Sequence, residues 1–102
     1  MIIKVKIFSP TTIVNLKLDN EKNLIELNGR ELNKQADSYI EKILTIVSSW
    51  KNNYFNPIIF DSENFEVQII KNSESKKFIG AGNFPENYKE LKDLIKEISK
   101  CF

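Results

Sequence analysis

Apolar and polar residues alternate from the start of the chain. Over residues 1–8, Ile3, Val5 and Ile7 are spaced by Lys4 and Lys6, the period of two that marks a strand buried on one face. Ser9-Pro10-Thr11 interrupts the run, because proline has no amide to give a ladder. Residues 12–18 alternate again, with Val14, Leu16 and Leu18 on one side and Asn15 and Lys17 on the other. After a polar turn at residues 19–22, residues 23–28 supply a third strand through Leu24, Ile25 and Leu27. Short turns between three short strands predict an antiparallel meander.

The period then changes. Leu32, Ala36, Tyr39, Ile40, Ile43, Leu44, Val47 and Trp50 recur at threes and fours, which predicts a helix of about five turns. Asn28-Gly29 is read as the left-handed corner where sheet gives way to this helix, and Asn52-Asn53 with Pro57 as its end. Residues 57–60 form a short apolar segment, an edge strand or the run-in to the next one. Phe65, Val67 and Ile69 alternate with Glu66 and Gln68, residues 72–75 turn the chain, and residues 76–80 return as a strand. Pro85 fits the first turn of a last helix, where its missing amide costs nothing. The buried stripe of that helix is Tyr88, Leu91, Leu94, Ile95 and Ile98. The order β-β-β-α-β-β-α predicts an α+β two-layer sandwich, an antiparallel sheet of about five strands with two helices on one face. Residues 1–102 read as one such domain.

Charge adds little to this picture. Fifteen basic residues face fourteen acidic ones, with no basic block or acidic tail, so no nucleic-acid footprint stands out along the chain. No run approaches the length of a membrane span, and the N-terminus alternates where a signal peptide would be continuously apolar. One cysteine, Cys101, allows no intrachain disulfide. A cytoplasmic protein is the expectation. Isoleucine, lysine and asparagine make 41 of the 102 residues, a bias of A/T-rich codons that points to an AT-rich bacterial genome or a phage living in one.

The chemistry-bearing groups are few. The chain has no histidine, so the commonest general base and metal ligand is missing. Asp61 and Glu63 stand close together, but Asp61-Ser62-Glu63-Asn64 reads as turn chemistry. Gly80-Ala81-Gly82-Asn83-Phe84-Pro85 precedes a helix, as a phosphate cradle does, yet it matches neither the dinucleotide-binding nor the P-loop spacing. Its glycines read instead as a sharp exit from a strand. No enzyme, cofactor or metal site is expected. The aromatics between Trp50 and Phe60 suggest another role, since connections are normally polar. Trp50 and Phe60 are assigned to the end of the core, and Tyr54 and Phe55, with Lys51 and Asn53, to a partner-binding surface.

From Asn28 onward the order is strand, Asn-Gly, helix closing on Trp50, Asp61, strand, and Gly-x-Gly-x-Phe-Pro before the last helix. Through Trp50, Asp61, Gly80, Gly82, Phe84, Pro85 and Tyr88 this resembles small uncharacterised proteins of low-GC bacteria and their prophages, a family without catalytic residues to carry over. The expectation is a small protein acting by stoichiometric binding to another protein. In a phage setting that is an inhibitor of a bacterial defence nuclease, anti-CRISPR-like; in a host setting it is an immunity protein that neutralises a toxin. The alternative is a nucleic-acid-binding module using Lys4, Lys6 and Lys17 on the sheet face and the Tyr54-Phe55 loop. A homodimer through an exposed edge strand is a third arrangement.

Overall fold

The computed structural model describes residues 1–32, 35–55 and 63–100. The segment at 57–60, with Phe60, as well as Asp61 and Cys101, lies outside them. Seven strands and two helices follow one another as β1 (Ile2–Phe8), β2 (Ile13–Asp19), β3 (Leu24–Leu27), β4 (Arg30–Leu32), α1 (Ala36–Val47), β5 (Asn53–Phe55), β6 (Asn64–Lys71), β7 (Glu74–Ala81) and α2 (Tyr88–Ser99). The fold is α+β, with one sheet in the order β4-β3-β2-β1-β6-β7-β5.

The sheet corrects the expected five antiparallel strands in two ways. It has seven strands, and it is mixed, because β5 runs parallel to β7 with Tyr54 opposite Gly80. Both additions are three residues long, too short to show a period of two. The Asn28-Gly29 corner is also corrected. With φ of +50° and +83° these two residues form a two-residue hairpin turn between Leu27 and Arg30, the conformation that asparagine and glycine favour in such loops. Asn28 fastens this turn to β2: its side-chain Oδ1 accepts from the Asn15 amide at 2.7 Å, and its own amide donates to the Asn15 carbonyl at 2.8 Å. A second two-residue turn, Asn72-Ser73, joins β6 to β7 with both residues at positive φ.

Helix α1 is shorter than its apolar stripe. Leu32 ends β4, and Trp50 lies beyond the last turn, where its amide bonds back to the Val47 carbonyl at 3.0 Å. The helix begins at Ala36, whose amide is capped by Asn23 Oδ1 from the β2–β3 turn at 3.0 Å. Pro85 likewise stands ahead of α2 and not inside its first turn; it is buried, and its carbonyl accepts from the Tyr88 amide.

Strand parity sorts the side chains. Ile3, Val5 and Ile7 are buried with Leu16, Leu18, Ile25, Leu27, Phe65, Val67 and Phe78 in the same core as Ala36, Ile40, Ile43 and Val47 of α1 and Leu91, Leu94, Ile95 and Ile98 of α2. One face of the sheet thus carries the helices and the core. Its other face holds the alternate residues, which are exposed or half-buried almost throughout. Among the described residues no helix is long and apolar enough to cross a membrane.

Candidate binding surface

The aromatic cluster is built into the core end of the molecule. Trp50 is 7% exposed and meets Phe65 and Phe78 edge-on, with ring centroids 5.4 and 6.0 Å apart. Tyr88 lies 5.0 Å from Phe65 and stacks on Phe84 at 4.6 Å. The indole Nε1 donates to Asn87 Oδ1 at 2.5 Å, and Asn87 Nδ2 donates to the Ile46 carbonyl at 2.8 Å. Asn87 occupies the N-cap position of α2 yet makes no side-chain cap bond, because both ends of its amide tie α2 to the exit of α1.

This cluster also accounts for the glycine pair. A Cβ placed on Gly80 would lie 2.0 Å from Phe65 Cε1, so the ring of Phe65 occupies the space a side chain would need. Gly82 has φ of +75°, the left-handed region that glycine enters at least cost. Close packing in one case and a backbone bend in the other explain both residues without a bound anion.

Glu63 is engaged as well. It accepts from the Tyr88 hydroxyl at 2.8 Å and from Lys92 Nζ at 3.1 Å. Burial, then the hydrogen bond to Glu63 and its negative charge, holds the Tyr88 hydroxyl far above the ordinary acidity range of a phenol. At neutral pH this tyrosine is a donor with no basic character. No group of three or more Asp, Glu, His or Cys residues that could hold a metal occurs among the described residues.

Of the four residues assigned to a partner surface, Asn53 and Tyr54 fall on different sides of the sheet. Tyr54 is half-buried; its ring lies 6.2 Å from Phe65, and its hydroxyl accepts from the Lys51 amide at 2.9 Å. Its register with Gly80 puts it on the helix-covered side, whereas Asn53, opposite Ile79, belongs to the uncovered side. Lys51 and Asn53 are exposed; of Phe55 the backbone alone is described. Tyr54 therefore has the opposite parity to Lys4, Lys6 and Lys17, although it lines one groove with Lys6.

The uncovered face is where polar and apolar groups gather. Register places Lys4 directly opposite Lys17, with Gln68 on its other side, and Lys6 between Asn15 and Glu66. Glu26 stands opposite Lys17, and Glu66 accepts an ion pair from Lys77 at 3.4 Å. Neither Lys4, Lys6 nor Lys17 forms an ion pair within 4 Å among the described residues. Like charges directly across a ladder destabilise it; at a separation of about 6 Å in water the repulsion is ~0.7 kcal/mol per pair before screening by salt.

At one end of this face the character changes. Phe8, Ile13 and Ile79, the large hydrophobic residues that stand exposed among those described, are 42%, 66% and 40% accessible. Phe8 and Ile13 are cross-strand partners, and a shallow groove lined by Lys6, Phe8, Asn53, Tyr54, Glu66 and Ile79 runs from Phe8 across β6 to β7. All three belong to the uncovered side by register. The Phe8 and Ile13 signal was present in the sequence: both share the parity of the lysines, where a solvated strand would be polar.

No family model matches the chain, no curated protein matches it in sequence, and no solved structure matches it. The fold and the surface define an α+β domain with one sheet face left open.

Proposed function

We propose that this chain is a non-enzymatic binding protein that acts by docking its open sheet face on another protein in a stoichiometric complex. The observation that carries the reading is the gathering of Phe8, Ile13 and Ile79 at one end of that face. Exposed apolar residues scattered singly need no explanation, whereas the directly paired Phe8 and Ile13, with Ile79 two strands away beyond Asn64 and Glu66, combine apolar and polar groups as an interface core and its rim do. Size agrees. Seven strands about 4.8 Å apart and strands of about 20 Å give a face on the order of 600 Å², near the ~800 Å² each partner contributes to a standard interface.

Inhibition of a bacterial defence nuclease, or neutralisation of a toxin, is the role that suits such a protein, since occluding a partner needs area and shape but no reacting groups. An inhibitor that imitated a phosphate backbone would present a row of carboxylates. Here Lys4, Lys6, Lys17 and Lys77 stand with Asp19, Glu26, Glu31 and Glu66 on the open side, and Asp19 is buried with its Oδ1 taken by the Glu21 and Lys22 amides; a mixed field with no row of carboxylates favours occlusion over mimicry. The two edges of the sheet, β4 and β5, are three residues each; short edges discourage strand-to-strand dimers.

The nucleic-acid reading keeps one observation in its favour, the gathering of Lys4, Lys6 and Lys17. Against it, Glu26 and Glu66 interrupt the basic field, and Tyr54 is half-buried against Phe65, which leaves little of its ring for a base to stack on. The test is reconstitution of the complex from purified components after partner capture, with wild type and an Ile13→Asp, Ile79→Asp variant. Loss of the complex by a variant of unchanged stability supports the open face; full retention removes it.

A further inference from the structure

The basic field on the open face has chemistry of its own, and we infer that it selects a partner segment rich in carboxylates, laid along the centre of the sheet beside the apolar end. This rests on the reading of the open face as the partner surface. Lys4 and Lys17 stand opposite each other, and Lys6 is diagonal to Lys17, so three ammonium groups share one patch with stem spacings of about 5–8 Å. The carboxylates nearest them reduce this charge without cancelling it: Glu66, opposite Lys6, is paired with Lys77, and Glu26, opposite Lys17, makes no ion pair within 4 Å. The amide side chains of Asn15 and Gln68 flank the same patch and supply neutral donors to an anion.

A row of like charges is unfavourable in the free protein and becomes favourable when an opposite charge covers it. That is the signature of a surface whose complement lies on another molecule. A protein segment fits better than a nucleic acid. Its carboxylates can be spaced to pass Glu26 and Glu66, and its apolar residues can meet Phe8 and Ile13, whereas a phosphate backbone carries charge at every nucleotide.

The test is an NMR titration of the isotope-labelled full chain with a peptide of alternating glutamate and valine, and with the same peptide carrying glutamine for glutamate. Expected are saturable shifts at the amides of Lys4, Lys6, Asn15 and Lys17 with the glutamate peptide, suppressed at high salt. A Lys4→Gln, Lys17→Gln variant should bind it about tenfold more weakly, the sum of two or three exposed charge contacts. Equal binding of the glutamine peptide, or no loss in the lysine variant, overturns the inference. So does preferential binding of oligothymidylate, or a concentration-dependent dimer that protects the same amides. If the Ile13→Asp, Ile79→Asp variant still loses the reconstituted complex, the open face stands as the surface and only the acidic partner is removed; if that complex survives too, both fall.

Discussion

Replacing Gly80 by alanine should be among the most damaging small changes in this protein, for a reason confined to one ring. The new methyl carbon would sit 2.0, 2.6 and 2.8 Å from Cε1, Cζ and Cδ1 of Phe65, against ordinary carbon contacts of about 3.5–4.0 Å. Phe65 has little room to yield: it is 2% exposed and packed against Trp50, Tyr54, Phe84 and Tyr88. Overpacking costs about 1–3 kcal/mol, and disturbing two of the ring pairs adds ~0.5–1.5 kcal/mol each. The stiffer unfolded chain returns about 0.4–1 kcal/mol. The middle of these ranges is a loss of about 3 kcal/mol, which for a domain of this size lowers the melting temperature by roughly 12–24 °C. Urea unfolding should show a lower midpoint at an unchanged slope. The double variant Gly80→Ala, Phe65→Leu isolates the cause: removing the ring relieves the clash, so the two changes should couple by about 1–2 kcal/mol. Gly29→Ala supplies the contrast, because its φ of +83° with nothing within 4 Å leaves backbone strain alone. A Gly80→Ala protein within 0.5 kcal/mol of wild type, or strict additivity with Phe65→Leu, would refute the packing account.

Asn87→Ala should cost about 2–3 kcal/mol by leaving the Trp50 indole N–H and the Ile46 carbonyl without their partner, measured by denaturant unfolding with tryptophan fluorescence as the probe. Tyr88→Phe should change stability with pH in one direction only. Because folding raises the Tyr88 pKa, the neutral hydroxyl stabilises the fold at every pH below the unfolded value of about 10, and that contribution is lost as pH rises above it. The difference between wild type and Tyr88→Phe should therefore be flat from pH 6 to 9 and shrink above ~10; a difference that grows there contradicts the assignment. Asn28→Ala should destabilise by about 1–2 kcal/mol through the left-handed turn and the bond to Asn15, with amide exchange in β3 and β4 accelerating first.

The strands that the sequence revealed are those with one buried face and four or more residues to show it. Lys4, Lys6 and Lys17 could be assigned to the sheet face from parity, and the register of β1 with β2 then set Lys4 against Lys17. Strands β4 and β5 were hidden because three residues carry no period. Leu32 and Trp50 fitted the helical phase of α1 by coincidence of spacing, although one ends a strand and the other follows the helix. The Asn87 tie had no local signature at all: its partners are 37 and 41 positions away. The glycine pair was legible as a strand exit, but the reason for Gly80 lay in a cross-strand ring. Phe8 and Ile13 share the parity of the lysines, a signal in the sequence that the assignment of Lys51, Asn53, Tyr54 and Phe55 to a partner surface passed over.

The cluster around Trp50 shows why the most conspicuous residues of a sequence are poor guides to a binding surface. Trp50, Phe65, Phe78 and Tyr88 are each less than a tenth exposed, and the indole is hydrogen-bonded from within, so their apolar surface has already been used to join both helices to the sheet. A partner gains nothing from groups that folding has removed from water. What remains available is the face the helices leave open, since two 12-residue helices cover one side of a seven-stranded sheet and no further helix is present among the described residues to cover the other. A solvated sheet face is polar at most positions, and Ile2, Leu24 and Ile70 at the other end of this face are at least half-buried. Polar residues do occupy its centre, but Phe8, Ile13 and Ile79 occupy one end, and an apolar end keeps its value only when something covers it.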